Sequence, residues 1–330
     1  MRERPRLGFL GAGWIGRNRM GGVAAAGIAD IVAVADSAVD TAAQAAAAVG
    51  AEHALGSLDD LLALDLDGIA IATPSALHAA QSIAALDRGV AVFCQKPLGL
   101  NTREVDDVIR AAQASNRLLG VDFSYRFTSG LQTIHRLIRE GALGTVYAAD
   151  LTFHNAYGPD KPWFYNRELA GGGCVVDLGV HLVDLALWMI DDPVDGVSAR
   201  LFSGGKPWKQ SAGAVEDFAA VRLDFAGGAT AHIACSWRLP AGCDAVIDAT
   251  FYGTHGAARW RNVNGSFYDF VTERLEGTRA TIIDGTQEEW GPRAIVHWGR
   301  GLCSGGSFDP AVAHVIGVTA TLDRIYDSTA

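Results

Sequence analysis

Short apolar runs that alternate with alanine-rich segments predict an α/β fold for the first third of this chain. Runs that are apolar throughout are typical of strands covered on both faces, as in a parallel sheet. The candidate strands span 7–10, 31–35, 68–72, 90–94 and 118–123, and the candidate helices span 17–26, 38–49, 77–88 and 102–115. We therefore predict a doubly wound parallel sheet with helices on both faces.

After about residue 122 the pattern changes, because the candidate strands are no longer apolar throughout. Their apolar residues alternate with polar ones or are mixed with them. The candidate strands here span 144–153, 197–203, 218–225, 229–239, 245–253 and 257–263. Such strands predict an open, mainly antiparallel sheet, and Asn264-Gly265 is typical of a type I′ turn between two of them. One helix at 174–190 interrupts the strands, and a last helix at 310–328 closes the chain.

These patterns divide the 330 residues into a first domain over 1–122 and a second, α+β domain over 123–330. The chain is long enough for each domain to have its own core. We expect that the last helix of the second domain can pack back on the first domain.

Composition and charge exclude several classes of protein. The formal net charge is −10 and no extended basic stretch follows residue 6, which argues against a nucleic-acid partner. Asp177, His181 and Asp184 interrupt the most apolar segment, which argues against a membrane span. The five cysteines are scattered and include no C-x-x-C pair, so we expect a reducing, cytoplasmic location and no metal site.

A glycine-rich turn follows the first strand directly. Gly11, Gly13 and Gly16 form the pattern G-x-G-x-x-G, and Trp14 and Ile15 lie within it. In a strand–turn–helix context these glycines allow a tight turn, a close approach of the backbone to a pyrophosphate, and close packing of the helix. We predict that these five residues contact a dinucleotide, against the alternative of an ordinary glycine-rich connection.

An acidic residue ends the second strand at the position that a ribose would occupy. Asp36 lies twenty residues past Gly16, where a carboxylate can accept hydrogen bonds from the ribose hydroxyls. Its charge would repel a 2′-phosphate, and the next residues, Ser37-Ala38, offer no arginine to bind one. The predicted cofactor is therefore NAD rather than NADP; the alternative is a solvated acid at a strand end.

Two further segments follow strands of the same sheet. Thr73, Pro74 and His78 follow the strand at 68–72, at the edge where open α/β sheets bind ligands, and are candidate cofactor contacts. A proline-containing strand–helix turn explains them equally well.

Gln95-Lys96-Pro97 follows the strand at 90–94, and Gln95 and Lys96 are candidate cofactor contacts. A lysine there would point into the cofactor cleft, and burial lowers the pKa of a lysine ammonium toward neutrality, which suits proton transfer. The Lys96–Pro97 bond is a candidate cis peptide. The alternative is that Lys96 is a surface residue, as most lysines are.

A third cluster follows Gly171-Gly172-Gly173 in the helix predicted at 174–190. Asp177 and His181 are four residues apart, so a helix places both on one face of an otherwise apolar segment. Buried polar groups need partners, which a hydroxylated substrate would supply. One alternative is an Asp–His pair in the core that meets its own hydrogen-bonding needs. A less favoured alternative is a metal site that also includes Asp184.

Together these motifs resemble those of the Gfo/Idh/MocA family of nicotinamide-dependent sugar and polyol oxidoreductases, from the glycine turn to the last helix. The resemblance rests on four motifs in the family's order: the glycine turn, Ala72-Thr73-Pro74, Gln95-Lys96-Pro97 for the family's Glu-Lys-Pro, and Gly-Gly-Gly followed by Asp177 and His181.

The resemblance implies a Rossmann domain and hydride transfer between NAD and a hydroxyl or keto carbon of a sugar, a sugar derivative or a cyclic polyol. It implies that Lys96, Asp177 and His181 are catalytic and bind substrate, with either Lys96 or His181 as the principal base. It further implies that Tyr125, Arg126 and Trp163 line the substrate cleft. It also implies a homodimer or homotetramer formed through the second domain's sheet.

Relatives with the same scaffold include NAD-dependent glycosidases, which oxidise the sugar transiently, and non-catalytic dinucleotide-binding regulators. Both remain alternatives. This chain departs from the family pattern at three positions: Gln95 replaces Glu, Ser75 replaces a common Asn, and Phe164 replaces a frequent Arg. These departures leave the predicted catalytic residues intact and affect specificity and cofactor contacts.

Overall fold

The structure is a computed structural model that describes residues 4–209, 213–285, 287 and 289–329. The described chain forms two compact units. Unit one contains the residues up to Ser124 together with Gly291–Ile316, and unit two contains Tyr125–Trp290 together with the residues from Gly317 onward.

Unit one is built on a six-stranded sheet in the order β3-β2-β1-β4-β5-β6. Every neighbouring pair of these strands is parallel, which confirms the predicted doubly wound sheet. Its strands are β1 (Arg6–Leu10), β2 (Asp30–Ala35), β3 (His53–Leu55), β4 (Gly68–Ile71), β5 (Ala91–Cys94) and β6 (Leu119–Val121). Its first helices are α1 (Trp14–Ala26), α2 (Val39–Val49), α3 (Leu58–Leu62), α4 (His78–Asp87) and α5 (Thr102–Ser115).

The strand order reverses between β1 and β4, and the loops after these strands carry the predicted cofactor motifs. Such a switch point leaves a crevice at the carboxyl ends of the strands, which is where open α/β sheets bind ligands. The prediction missed β3 and α3, because a strand of only three residues has no periodicity to detect.

Unit two contains a nine-stranded sheet in the order β15-β14-β13-β12-β7-β11-β10-β8-β9. Among its described strands β7 and β11 pair in parallel and the other neighbours pair antiparallel, which confirms a mainly antiparallel sheet. The strands are β7 (Val146–Asn155), β8 (Val194–Ser203), β9 (Lys206–Pro207), β10 (Phe218–Phe225), β11 (Thr230–Ser236), β12 (Ala245–Gly253), β13 (Gly256–Asn262), β14 (Phe270–Glu276) and β15 (Arg279–Asp284).

One face of this second sheet is covered and the other is open. Along β10 the side chains of Ala219, Val221, Leu223 and Phe225 are buried, whereas Arg222 on the opposite face is exposed. Alternation of this kind is typical of an antiparallel sheet that packs on one side only. Helix α6 (Ser129–Arg139) lies against β13 and β14, and α8 (Val180–Ile190) lies against β7 and β11; the short helix α7 spans Arg167–Ala170.

The helix predicted at 174–190 begins with a π-helical turn over Val175–Gly179 and continues as α8. Within the described residues the stretch Arg167–Ile190 is long and apolar enough to cross a membrane, but 72% of its most apolar window is buried inside the protein. That burial is the behaviour of a core helix.

Two predictions for this region need correction. The helix at 174–190 is not alone in this region, because α6 precedes its first strand, β7: Thr128 caps α6, and Leu131 and Ile134 face the core at helical spacing. Strands β14 and β15 were also missed, since β15 is exposed along almost its whole length and shows no alternation.

The turn at Asn264-Gly265 has the positive φ angles of a type I′ turn, 52° and 76°. Ser266 donates its backbone N–H to the carbonyl oxygen of Val263 across it, at 3.0 Å. The turn does connect two strands, β13 and β14, but within a longer connection rather than as a two-residue hairpin.

The predicted second domain of 123–330 is too long, because α9 (Arg293–Cys303) belongs to unit one. Trp298 of α9 packs on Phe93 of β5 with ring centroids 5.8 Å apart. Gly68 and Gly120 make room for it: a Cβ at these positions would lie 2.6 and 2.7 Å from Trp298 ring atoms. The last helix, α10 (His314–Asp327), begins in unit one and lies mostly in unit two.

Candidate functional site

The glycine turn after β1 has the shape that a bound pyrophosphate requires. Gly11 has a φ of +95°, and a Cβ there would lie 2.5 Å from the carbonyl oxygen of Ala72. A Cβ at Gly16 would overlap the carbonyl oxygen of Gly11, so helix α1 can pack this closely only with glycine. No heavy atom lies within 4 Å of a Cβ built on Gly13, so the space above it is open.

Helix α1 begins at Trp14, directly after Gly13, and no side chain caps it. Its first turn also contains no acidic residue. Exposed N–H groups and the positive end of the helix dipole therefore face the open space above Gly13, which suits a phosphate. Trp14 itself is 63% exposed and Ile15 is half-buried. The residues present fit a dinucleotide.

The Asp36 carboxylate is held beside this turn by two backbone amides. Its Oδ2 accepts from the N–H of Ala12 at 2.8 Å, and its Oδ1 accepts from the N–H of Ala38 at 2.9 Å. Arg17 anchors the same turn by donating its Nε–H to the carbonyl oxygen of Ala12, at 2.9 Å. The acid is thereby fixed next to the phosphate cradle, as expected for a residue that binds ribose hydroxyls.

In the loop after β4, the structure corrects the prediction that His78 contacts the cofactor. His78 is 1% exposed, so its ring has no surface to offer a cofactor. Its Nδ1 lies 2.7 Å from the carbonyl oxygen of Pro97, and its Nε2 lies 2.8 Å from that of Thr73. Burial lowers the pKa of His78, and the positive charge of Lys96 adds to this effect. His78 therefore joins the loops that follow β4 and β5 instead of touching the cofactor.

Lys96 lies two residues after the end of β5 and is half-buried, and the Lys96–Pro97 peptide bond is cis, as predicted. Its backbone N–H donates to Oε1 of Gln95 at 3.1 Å. The Nε2 amide of Gln95 donates to Oδ2 of Asp122 at 2.8 Å. Both ends of the Gln95 side chain are thus engaged within unit one. Thr73 likewise donates its hydroxyl to Oε1 of Gln81, at 2.6 Å.

In unit two, the glycine run before α8 allows a buried glutamate and a tyrosine to approach the helix start. A Cβ at Gly172 would overlap the hydroxyl of Tyr326, and a Cβ at Gly173 would overlap the carbonyl oxygen of Glu216. Glu216 is fully buried, and its Oε1 accepts from the N–H groups of Gly173 and Val175 at 2.8 and 3.0 Å. The Tyr326 hydroxyl donates to the same oxygen at 2.8 Å.

Asp177 lies in the π-helical turn that this anchor holds. Its backbone N–H donates to the carbonyl oxygen of Gly173 at 3.0 Å, which ties it to the anchored glycine. The indole Nε1–H of Trp237 donates to Asp177 Oδ2 at 3.1 Å. Single π-helical turns occur often at functional sites. The carboxylate is therefore oriented by a buried tryptophan that sequence reasoning missed.

His181 follows one turn later on the same face and is half-buried, like Asp177. The ring of Tyr125 meets its imidazole edge to face, with centroids 4.9 Å apart. Tyr125 in turn stacks on Trp290 at 4.7 Å. Unit two thus brings the predicted residues Tyr125, Asp177 and His181 into one connected region.

The other two predicted substrate contacts have partners of their own. Arg126 donates from Nε and Nη2 to both oxygens of the buried Asp184, at 2.7 and 2.6 Å. This pairing gives Arg126 a structural role, and it removes Asp184 from the alternative metal site with Asp177 and His181. Trp163 stacks on Phe164 with centroids 3.8 Å apart. Within the described residues no group of three possible metal ligands was found.

The fold and these features define a dinucleotide-binding protein with a second, sheet-based unit that presents an anchored acid–imidazole pair. The model of the oxidoreductase family with an NAD-binding Rossmann fold matches residues 6–123, and the Gfo/Idh/MocA C-terminal domain matches residues 131–259. The chain belongs to the Gfo/Idh/MocA family, and its first unit is an NAD-binding Rossmann domain.

Named relatives agree with this assignment. Over 261 residues the chain is 30% identical to the rhizopine catabolism protein MocA of Rhizobium meliloti, covering 78% of each chain. It is 33% identical over 203 residues to inositol 2-dehydrogenase 3 of Saccharopolyspora erythraea, covering 59% of this chain but only 56% of that relative. The structure of GenD2 from gentamicin A biosynthesis in complex with NAD matches with a TM-score of 0.84 at 26% identity, covering 100% of this chain and 95% of that one.

Proposed function

We propose that this protein is an NAD-dependent dehydrogenase or reductase acting on a hydroxyl or keto carbon of a sugar, a sugar derivative or a cyclic polyol. The observation that carries the proposal is the anchored pair of Asp177 and His181. These polar groups lie in an otherwise apolar helix, in a chain whose other unit binds NAD. Similarity to an inositol 2-dehydrogenase supports the substrate class.

The bound nicotinamide would supply the acceptor or donor of the hydride. In the direction of oxidation, Lys96 or His181 takes the proton from the substrate hydroxyl while the carbon–hydrogen bond breaks. Asp177, oriented by Trp237, accepts a hydrogen bond from a substrate hydroxyl and so fixes which carbon is presented. Holding the reacting carbons at about 3–3.5 Å supplies much of the rate.

A panel of inositols, aldoses and ketosugars, each offered with NAD, tests the proposal. The absorbance of the reduced nicotinamide should rise for at least one polyol or sugar, and fall in the reverse direction with its ketone. If the protein binds NAD but turns over no compound in either direction, the proposal is wrong. Release of a sugar from a glycoside without net accumulation of NADH would instead indicate a glycosidase.

We expect catalytic efficiency with NAD to exceed that with NADP by at least about tenfold, because Asp36 would lie against the 2′-phosphate, where like charges a few ångströms apart repel strongly. Asp36→Ser should reduce this preference. Asp40→Ser, which removes an exposed acid from the first turn of α2, is the matched control and should leave it unchanged. Equal efficiencies with both cofactors in the wild-type protein would show that Asp36 does not decide the choice.

We further propose that the open face of the second sheet joins copies of the chain into a homodimer or homotetramer. Support comes from the exposed side chains on this face, such as Arg222 and the neighbouring pair of His232 with Asp150. Sedimentation at several concentrations measures the assembly, and a monomer throughout would contradict it.

We also propose a cytoplasmic location. The five scattered cysteines, all of which are free thiols, support it.

A further inference from the structure

A buried charged network lies next to Lys96 in unit one. Asp122 is 1% exposed, and its Oδ2 accepts from Arg19 Nε at 2.6 Å as well as from Gln95 Nε2 at 2.8 Å. Its Oδ1 accepts from the hydroxyl of Ser124. Arg19 is itself 7% exposed and donates from Nη2 to the Ser124 oxygen at 2.9 Å. One cation and one anion are thus paired away from water.

Gln95 connects this buried pair to Lys96. Its backbone N–H donates to the carbonyl oxygen of Ile71 at 2.9 Å, which continues the pairing of β5 with β4. Its side chain donates to Asp122 with one end and accepts from the backbone N–H of Lys96 with the other. The orientation of the Lys96 backbone therefore depends on a side chain that must be donor and acceptor at once.

The charge of Asp122 restricts which residue can fill this role. A glutamate at position 95 would place a second carboxylate where the amide N–H now lies, 2.8 Å from Asp122 Oδ2. Two carboxylates at such a distance repel each other strongly when both are ionised, and Arg19 supplies a positive charge for only one of them. A protonated glutamate, by contrast, could donate to Asp122 and still accept from Lys96, as glutamine does.

We propose that Arg19, Asp122 and Gln95 form a positioning network for Lys96, in which the buried charge of Asp122 requires an uncharged hydrogen-bond donor at position 95. None of the three needs to touch the substrate; they act through the lysine backbone. The inference rests on the proposed function, because that function is what gives Lys96 its role.

The first test is Gln95→Glu, studied for kcat, KM and NAD affinity across pH. At neutral pH we expect kcat to fall at least about tenfold, within the range that a misplaced acid–base group costs. As the pH is lowered the pair of carboxylates takes up one proton and kcat should recover. Among the described residues, Arg19 pairs with Asp122, and the charge of Asp122 also acts on Cys94; burial raises the pKa of Cys94 to about 12, so its thiol stays neutral.

The matched control is Gln44→Glu on the exposed side of α2, which should behave as the wild type. The second test is the double variant Gln95→Glu with Asp122→Asn, which leaves one carboxylate beside Arg19. It should regain kcat at neutral pH and lose the recovery on acidification. A single variant that matches the wild type at every pH, or a double variant as impaired as the single one, would overturn the proposal.

Melting temperatures decide the test when activity cannot be measured. If Gln95→Glu fails to fold at neutral pH, recovery of folded protein in the double variant supports the network, and its absence overturns it. If the wild-type protein turns over no sugar or polyol, the proposed function fails on its own. The network is then judged by whether the melting temperature of Gln95→Glu, but not that of the double variant, rises on acidification.

Discussion

Replacement of Lys96 by methionine is expected to lower kcat by at least about a hundredfold, the usual loss when a positioned acid–base group is removed. Methionine keeps the length and apolar stem of lysine but cannot take or return a proton. The side chain follows β5 at the carboxyl edge of the parallel sheet, where the sheet's ligand crevice lies. Steady-state rates with the substrate found by the panel measure the effect.

Binding of NAD to the Lys96→Met protein should persist, since the glycine turn and Asp36 are untouched. Lys206→Met, on an exposed edge strand of unit two, is the control for loss of a lysine charge. Near-wild-type turnover in Lys96→Met would transfer the role of principal base to His181, and a parallel His181→Gln variant would then show the larger loss.

Replacement of Glu216 by alanine is expected to destabilise the start of the helix that bears Asp177 and His181. The substitution leaves three buried donors without their acceptor, namely the N–H groups of Gly173 and Val175 and the hydroxyl of Tyr326. A buried unsatisfied donor costs about 1–3 kcal/mol, so the free energy of unfolding should fall by roughly 3 kcal/mol or more. Urea denaturation measures the loss, and hydrogen exchange at Gly173 and Val175 localises it.

Two variants separate the anchor from general damage to the core. Tyr326→Phe removes one donor together with its hydrogen bond, so it should cost only about 1 kcal/mol. Glu216→Gln keeps a carbonyl oxygen for the donors and should retain most of the helix protection. Equal protection of the Val175 amide in the wild type and in Glu216→Ala would show that the carboxylate does not anchor this helix.

The same glutamate should make stability depend on pH. Burial raises the pKa of Glu216 above its ordinary value of 4.5, although the donors from Val175 and Tyr326 oppose the effect. An acid whose pKa is higher in the folded state favours folding at low pH, and this contribution is lost as the pH rises from about 4.5 through the folded value. Among the described residues, the titratable side chains on which the Glu216 charge acts are those of Tyr326 and Cys174.

The comparison of the wild type with Glu216→Gln isolates this contribution. Because glutamine does not titrate, the unfolding free energy of Glu216→Gln relative to the wild type should rise as the pH increases above 4.5. A difference that stays constant with pH would contradict the raised pKa.

Features that depend on neighbours along the chain were predictable. The glycine turn, the apolar strands and the Asp177–His181 spacing each lie within one element, whose geometry determines which residues share a face or a turn. The sequence therefore indicated the parallel sheet, the mainly antiparallel second sheet and the NAD-binding domain. Its motifs also indicated the family, which the comparisons confirm.

Features that depend on distant pairing were not predictable. Trp237 meets Asp177 across 60 residues, Glu216 meets Gly173 across 43, and Gln95 meets Asp122 across 27. The same limit applies to α9, which returns to unit one, and to His78, whose ring is buried between two loops. Periodicity relates a residue only to others in its own helix or strand, so these partners became visible only once the sheets had brought distant segments together.

The sequence by itself determined which groups can do the chemistry, because an ammonium, a carboxylate and an imidazole are properties of residue type. Only the tertiary structure decided what holds the backbone of Lys96 and the carboxylate of Asp177 in place. Buried hydrogen-bond donors and acceptors must find partners wherever the folded chain provides them, and those partners come from segments that no local pattern connects.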